Sequence, residues 1–139
     1  MSELNYPLPR PNAHTEPYWS GIQDHQLRYQ QCDVCDAVQL IPRSLCEHCH
    51  SVSLQWKTSM KKGRVLTYTI VHRAPLPIFK SMTPYAIVIV NMEEGFRVMA
   101  NALPEAQPLL KIGSQVEIEF QNVHGMTLPI VGKVLEASL

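Results

Sequence analysis

The four cysteines of this chain form two pairs with the same short spacing, Cys32 with Cys35 and Cys46 with Cys49. Within each pair the two intervening residues turn the backbone tightly, so both sulfurs can point at one centre. Two such knuckles that face each other supply four thiolates in the tetrahedral arrangement of structural zinc sites. The spacing therefore predicts one structural Zn²⁺ per chain, held by all four cysteines.

Two alternatives to this interpretation stay open. A pair of cysteines two residues apart can also form a disulfide or act as a redox pair. His48 and His50 lie in and beside the second pair, where they are either surface residues or alternative metal ligands. The residues that follow the pairs, Asp36 and His50, are expected in the left-handed backbone region, which Asp and His tolerate better than most residues.

Length and composition indicate a globular protein. A chain of 139 residues has room for one ordinary domain, or for a small metal module plus a compact β-domain. No apolar segment approaches the roughly 20 residues of a membrane helix, so no membrane partner is expected. The N-terminus lacks a basic start followed by an apolar stretch, so it is not interpreted as a secretory signal. Paired cysteines without an export signal favour a reducing compartment, and the protein is expected to be cytoplasmic.

The charge balance disfavours nucleic acid as a partner. Lys and Arg together number 12, and so do Asp and Glu. Residues 51–139 carry nine basic and six acidic groups, which is a small positive excess. Proteins that bind DNA or RNA through phosphates usually show a much stronger one.

The pattern along the chain predicts a mainly β protein in three segments: an N-terminal arm and helix (1–25), a zinc ribbon (26–58) and a β-barrel domain (59–139). Thr15 is the expected N-cap of a helix over residues 15–24. Its apolar face then needs a cover, which the ribbon or a partner could supply. Short alternating strands lead into and out of the two knuckles.

The third segment reads as β throughout after an expected turn at residues 61–63. In the strand at 115–122, Val116, Ile118 and Phe120 are expected to face inward. Glycine turns, including one at His124-Gly125, and the lack of a helical period indicate a closed barrel of the five-stranded oligonucleotide/oligosaccharide-binding (OB) type. The expected strands are 64–72, 85–91, 96–101, 115–122 and 128–135.

The longest connection runs from His72 to Pro84 and holds three prolines. It is expected to expose Leu76, Ile78 and Phe79. A long, stiff, apolar loop on a small barrel is more often a binding element than a spacer, and the alternative is a loop that folds back to cap the barrel.

The sequence offers no convincing catalytic constellation. The cysteines are used by the metal, and four sulfurs leave no coordination position for an activated water. Phosphate-binding glycine loops, serine elbows and metalloprotease histidine pairs do not occur in the sequence. The pair His72-Arg73 lacks a visible carboxylate partner, so the chain is not expected to be an enzyme by itself.

A set of ordered motifs resembles one known family. The motifs are Tyr18-Trp19-Ser20-Gly21, the two cysteine pairs with Pro42-Arg43 between them, Gly63-Arg64-Val65, Val71-His72-Arg73-Ala74-Pro75-Leu76-Pro77, Pro84-Tyr85-Ala86 and Leu128-Pro129. Together they resemble the acyl-CoA-associated family with an N-terminal helix, a rubredoxin-like zinc ribbon and a C-terminal OB-fold. The likeness covers residues 15–134; Asp36 and His50 depart from it, since the family commonly has glycine there.

The resemblance implies an accessory role. Members of this family look like non-catalytic partners of thiolase-superfamily enzymes, or of hydratase-like and aldolase-like enzymes that act on CoA thioesters. They hold the CoA part, bridge two active sites or complete the partner's fold. The expected partners are therefore a thiolase-like enzyme subunit and an acyl-CoA thioester.

A bound CoA would need basic groups for its phosphates and an apolar slot for its thin arm. Arg73 and Lys80 are the expected phosphate contacts and Phe79 the apolar one, with Lys62 and Arg64 as further basic candidates. The alternative is that these are solvated charges and a capping aromatic.

Two further functions compete with this one. A free-standing acyl-CoA carrier is one of them. The other is a module that binds single-stranded nucleic acid, which would need stacking aromatics on the strands, and only Tyr68 and Phe96 come close to that requirement.

Overall fold

The computed structural model describes residues 8–74, 76–123 and 125–135, without the side chain of Ile78. Residues 1–7 of the predicted arm, Pro75 and the predicted turn residue His124 lie outside the described residues. The helices are α1 (Glu16–Gln23), α2 (Pro77–Lys80) and a 3-10 helix (Gln107–Leu109). The strands are β1 (Arg28–Cys32), β2 (Val38–Gln39), β3 (Leu54–Thr58), β4 (Lys62–Val71), β5 (Tyr85–Met92), β6 (Arg97–Ala102), β7 (Gln115–Val123) and β8 (Met126–Leu135). No helix in these ranges is long and apolar enough to cross a membrane.

The ribbon is a three-stranded antiparallel sheet in the order β2-β1-β3. The central strand β1 places Gln30 opposite Gln39 on one side and opposite Trp56 on the other. Its last residue is Cys32, so the strand delivers the first knuckle directly. The predicted strand into the first cysteine pair is therefore confirmed.

The predicted five-stranded barrel is confirmed. It closes in the order β4-β5-β6-β8-β7. Every neighbouring pair is antiparallel except β6 with β8, which run parallel with Asn101 opposite Ile130. The 3-10 helix lies in the connection from β6 to β7, and this crossover gives the OB-type closure.

One apolar core joins the helix, the ribbon and the barrel. Ile22 of α1 and Leu27 before β1 are fully buried in the same cluster as the barrel valines. The Tyr29 ring of the ribbon stacks on Phe96 of the barrel, with centroids 4.9 Å apart. The apolar face of α1 is therefore covered by the chain itself.

Helix α1 begins as predicted, but its capping differs. The Thr15 side chain makes no capping bond to the helix. Instead the Asn12 side chain accepts from the backbone N–H groups of His14 and Thr15 at 2.9 and 3.0 Å. Farther along, Gly21 leaves room for the Arg28 side chain, because a Cβ there would lie 2.7 Å from Arg28 Cδ. Arg28 crosses at this point and donates to the Pro17 carbonyl.

The predicted turn at residues 61–63 is misplaced. Lys61 takes the left-handed conformation with φ of 64° and β4 already begins at Lys62. Gly63 lies inside the strand because the Asn91 carbonyl comes so close that a side chain would collide with it. The glycine thus marks a close backbone approach, for which the sequence offers the same signal as for a turn.

The inward face of β7 is only partly as predicted. Val116 and Ile118 are buried in the barrel, each about 1% exposed. Phe120 is half-buried, and its ring stacks on His25 at 5.2 Å while Lys61 Nζ lies 5.5 Å from the ring centroid. Phe120 thus packs both against the core cluster and on His25, and the barrel does not enclose it completely.

The long loop after β4 contains the short helix α2, which was not predicted. Ala74 is buried and Leu76 is 48% exposed. The Phe79 ring is half-buried and lies 6.3 Å from that of Tyr85 on β5. The loop thus holds one apolar group against the barrel and leaves another at the surface, so it combines features of the two predicted alternatives.

Candidate metal centre and ligand surface

The two cysteine pairs form two knuckles of matching geometry. In the first, the Asp36 N–H donates to the Cys32 carbonyl at 3.1 Å, and in the second the His50 N–H donates to the Cys46 carbonyl at 2.9 Å. Asp36 and His50 have φ of 62° and 65°, so the expected left-handed conformation is confirmed at both positions. Neither departure from glycine prevents the knuckle from forming.

The four sulfurs converge on one point. Cys32 Sγ lies 3.5 Å from Cys49 Sγ, and Cys35 Sγ lies 3.6 Å from Cys46 Sγ. All four sulfurs lie within 4.8 Å of one another. A tetrahedral zinc with sulfurs at about 2.3 Å needs sulfur–sulfur separations of about 3.8 Å, so the donor set fits such an ion. The four cysteines therefore form a group that could hold a metal ion, and this group does not include the exposed His48 or His50.

Backbone N–H groups favour thiolates at the first cysteine of each knuckle. The Cys49 N–H has the largest effect on Cys46, and together with that of His48 it lowers the pKa of the Cys46 thiol to about 6, although burial acts in the opposite direction. The N–H groups of Cys35 and Val34 lower the pKa of Cys32 in the same way. Thiolates are the form that binds metal, so this arrangement prepares Cys32 and Cys46 for a cation, whereas the pKa values of Cys35 and Cys49 are raised.

Two buried glutamines hold the second knuckle in place, and the sequence interpretation missed them. Gln39 Nε2 donates to Gln30 Oε1 at 2.8 Å, and Gln39 Oε1 accepts from the Glu47 N–H at 3.0 Å. Gln30 in turn bonds both backbone polar groups of Arg43. Each glutamine is 4% exposed. Glutamine is mostly a surface residue, so nothing in the sequence distinguishes this pair.

The five predicted ligand-binding residues fall into two separate groups. Arg73, Phe79 and Lys80 lie on the loop that contains α2, with both cations exposed. Lys62 and Arg64 lie at the opposite end of β4, on the order of 25 Å away along the strand. One phosphate group cannot contact both groups.

A pocket of about 360 Å³ lies beside the first group. Its wall begins at Ser81, directly after Lys80, and continues across β5, β6 and the β7–β8 hairpin. Met82, Tyr85, Leu128 and Ile130 supply apolar surface, and Asn101, Gln107 and Gln121 supply amides. The described lining contains no Lys, Arg, His, Asp or Glu, so the pocket suits an uncharged, partly polar chain.

The two aromatics considered for base stacking are not available for it. Phe96 is 4% exposed and packs on Tyr29. Tyr68 is half-buried and packs against the core cluster. Stacking on these two rings, which the nucleic-acid alternative needs, is therefore not supported.

Comparison with known proteins follows the two parts of the fold. Residues 19–54 match the family model "ChsH2, rubredoxin-like zinc ribbon domain", and residues 56–121 match "ChsH2, C-terminal OB-fold domain". A "DUF35 domain-containing scaffold protein" of Methanothermobacter thermautotrophicus is 31% identical over 76% of this chain and 80% of that protein. The chain belongs to the DUF35 zinc-ribbon/OB-fold family. The expected resemblance is thereby confirmed.

Further relatives and a solved structure are similar to this chain over most of its length. A scaffold protein of the same description from Pyrococcus furiosus is 33% identical over 76% of this chain and 77% of its own length. A "Probable enoyl-CoA hydratase alpha subunit" of Thermomonospora curvata is 26% identical over 89% of this chain, which spans 39% of that protein. Among solved structures, a chain of the "Ltp2-ChsH2(DUF35) aldolase" superposes with a TM-score of 0.77 at 25% identity, covering 90% of this chain and 98% of that one.

Proposed function

We propose that this chain is a cytoplasmic, non-catalytic accessory subunit that binds or channels acyl-CoA thioesters in complex with a thiolase-superfamily enzyme, or with a related hydratase or aldolase. The observation that carries the proposal is the likeness to a chain of the Ltp2-ChsH2(DUF35) aldolase, which extends over nearly the whole of both chains. The relatives named as scaffold proteins and as a hydratase subunit support the same role.

The metal in this proposal is a structural Zn²⁺. Four thiolates complete a tetrahedral coordination shell, whereas catalytic zinc keeps one position for water or substrate. Cys32 and Cys46 are also fully buried, so two of the four bonds are shielded from substrate. A Zn²⁺ held by Cys32, Cys35, Cys46 and Cys49 would therefore stabilise the ribbon, and the reaction would take place in the partner enzyme.

The CoA thioester in this proposal binds at the loop that contains α2. Arg73 and Lys80 supply positive charge for phosphates, and Phe79 supplies an apolar contact. The neutral pocket that begins at Ser81 fits an uncharged arm with amide groups, because its polar side chains are amides as well. Lys62 and Arg64 lie too far along β4 to contact the same phosphate, so this proposal gives them no part in that contact.

Co-purification tests the accessory role. The tagged chain, expressed in its native host and passed through size exclusion, is expected to retain a thiolase-like, hydratase-like or aldolase-like enzyme in fixed stoichiometry. Retention of single-stranded oligonucleotide that is lost with added salt, without any enzyme, would contradict the proposal.

Substitution of the loop cations tests the CoA contact. In the purified complex, Arg73→Gln with Lys80→Gln should raise the KM for a CoA thioester at least about 100-fold, since each lost hydrogen bond to a charged group is worth about 1.5–3 kcal/mol and about 1.4 kcal/mol corresponds to a factor of ten. The matched control is Lys111→Gln, which removes an exposed charge from the connection before β7. Equal KM values for the double variant and the control would remove Arg73 and Lys80 from the site.

A further inference from the structure

One outer face of the barrel differs in composition from the rest of its surface. It is formed by two cross-strand rows on β4, β5 and β6: Arg64–Asn91–Arg97 and Thr67–Ile89–Met99. We call it the arginine–methionine face. Its six side chains include no Lys, Asp or Glu. Surfaces that bind proteins are enriched in Arg and Met and depleted in Lys, Glu and Asp relative to ordinary surface.

The neighbouring side of the barrel shows what an ordinary solvated surface looks like in this chain. There, Glu117 of β7 lies opposite Lys62 of β4 and opposite Lys133 of β8. This row alternates in charge, so its one carboxylate has a cation on each neighbouring strand. The arginine–methionine face lacks such compensation, because both of its charges are positive.

The two arginines are held in position by neutral groups. Arg97 Nε donates to Asn91 Oδ1 at 3.0 Å, and Arg64 Nη1 donates to the Gly113 carbonyl at 3.1 Å. The only ion pair within the described ranges is Arg43 with Glu47, so neither guanidinium has a carboxylate partner there. Each keeps further N–H donors for a planar anionic group, which guanidinium binds with two parallel bonds.

The second row gives this face an apolar centre. Met99 is 68% exposed and Ile89 next to it is half-buried. The two rows cover only about 200 Å², against about 800 Å² per partner in a stable interface. The surface continues past Arg97 into a cleft of about 290 Å³ between barrel and ribbon, whose far wall includes Ile41, 64% exposed. The surface thus extends from β4 to the ribbon, with the polar row Arg64–Asn91–Arg97 between the apolar centre and a cleft of mixed lining that includes Glu47.

We infer that the arginine–methionine face, with the cleft beside it, is the surface on which the partner enzyme docks, and that the enzyme presents carboxylates around an apolar patch. This inference rests on the proposed function. Charge complementarity favours an acidic partner: neither arginine has a described carboxylate within ion-pair distance, although Glu47 lines the cleft beyond Arg97, and carboxylates on the enzyme would match both guanidinium groups. The apolar centre and the extent of the surface favour a protein over a small anion, and the six side chains include no aromatic on which an adenine or another base could stack.

The test uses the enzyme that co-purifies with the full-length chain, purified separately, and measures the Kd by biolayer interferometry. Arg97→Glu and Met99→Glu each place a carboxylate where the inference expects acidic or apolar contact. Each is expected to weaken binding about 100-fold, as substitution of central interface residues does. The control Lys133→Glu makes the same charge change as Arg97→Glu at an exposed position on β8, and should change the Kd less than threefold. Far-UV circular dichroism and metal content should be unchanged in all three variants.

Other outcomes overturn the inference in distinguishable ways. If the enzyme co-purifies but binds all variants equally, the proposed function stands and this docking surface is wrong. If Arg97→Glu instead dissociates a homodimer, the occupant is a second copy of the chain. If it weakens CoA binding by the isolated chain, the face is an anion site. If no enzyme co-purifies, the proposed function and this inference fail together.

Discussion

The ribbon and the barrel are stabilised in different ways. In the barrel, Val88, Val90 and Ile118 fill a closed interior and are almost completely buried. In the ribbon, the buried groups include two sulfurs and the hydrogen-bonded amides of Gln30 and Gln39. The barrel thus has an apolar interior, whereas the ribbon has paired polar groups and four convergent thiols whose stabilising effect would depend on a bound metal ion.

The ribbon and the barrel are not independent of each other, because they share part of one apolar core. Leu27 is fully buried and Tyr29 stacks on Phe96, so the inner strand of the ribbon also belongs to the barrel core. Helix α1 contacts both regions through β1 and β8. The comparison therefore predicts that metal loss unfolds the outer part of the ribbon around the knuckles, while the barrel and its contact with β1 persist.

Loss of a metal ligand should have the largest effect. Cys32→Ser removes a buried thiolate, and the ribbon should then lose most of the zinc-binding free energy, about 10 kcal/mol in zinc-finger peptides. Amide NMR spectra should show that residues 33–53 lose their dispersed signals while β4–β8 keep theirs. Val34→Ser, at a 68% exposed position in the same knuckle, is the control and should retain one zinc per chain. A ribbon that keeps its signals after metal removal would contradict the comparison.

A cavity in the barrel should lower the free energy of unfolding without changing the zinc content of the ribbon. Ile118→Ala removes a side chain that is 1% exposed, and the free energy of unfolding should fall by about 3 kcal/mol. The matched control is Ile112→Ala, at a position 71% exposed, which should change it by less than about 0.5 kcal/mol. Urea denaturation measures the free energy of unfolding of both variants, and the zinc content of both should stay at one per chain. Loss of zinc in Ile118→Ala would show that the two regions are not separable.

The stability contributed by helix α1, which packs against both the ribbon and the barrel, should fall at high pH. Burial raises the pKa of Tyr18 to about 12 from an ordinary value of 10.0. The unfolded chain loses this proton first, so the contribution is fully present below pH 10 and is lost as pH rises toward 12, by about 2–3 kcal/mol. Unfolding by urea at pH 8 and at pH 11.5 should show a smaller decrease for Tyr18→Phe than for the unaltered chain. An equal decrease would mean that Tyr18 ionises freely in the folded state.

The smallest effect should come from the polar support of the second knuckle. Gln39→Ala removes hydrogen bonds to Gln30 and Glu47 and should lower the free energy of unfolding by about 1–2 kcal/mol. Zinc affinity should fall about tenfold, as it does when groups behind metal ligands are lost. Thr58→Ala, at an exposed position at the end of β3, is the control. If both variants bind zinc equally, the buried amide pair has no role at the metal site.

Sequence patterns predicted those parts of the molecule in which a pattern of residues rarely serves any other structural purpose. The cysteine spacing predicted that all four sulfurs converge on one point, as they do, because that spacing with free thiols has few other uses. Alternation of apolar and polar residues located the five barrel strands, since a closed barrel buries one face of each strand.

Predictions from the sequence were wrong where the role of a residue depends on residues that are far away in the sequence. Gly63 was assigned to a turn but allows close approach of the Asn91 carbonyl. Phe120 was expected inside the barrel but is only half-buried, because its ring packs on His25 from a different segment as well as against the core. Lys62 and Arg64 were grouped with Arg73 and Lys80 because all are basic, although the length of β4 separates them.

The most direct test of the account is turnover of an acyl-CoA thioester by three samples: this chain with its zinc, the separately purified partner enzyme, and the reconstituted complex. The account predicts that the chain alone consumes no thioester and that the complex turns over faster, or with lower KM, than the enzyme alone. Thioester consumption by the chain alone, or identical kinetics for the enzyme with and without it, would contradict an accessory role.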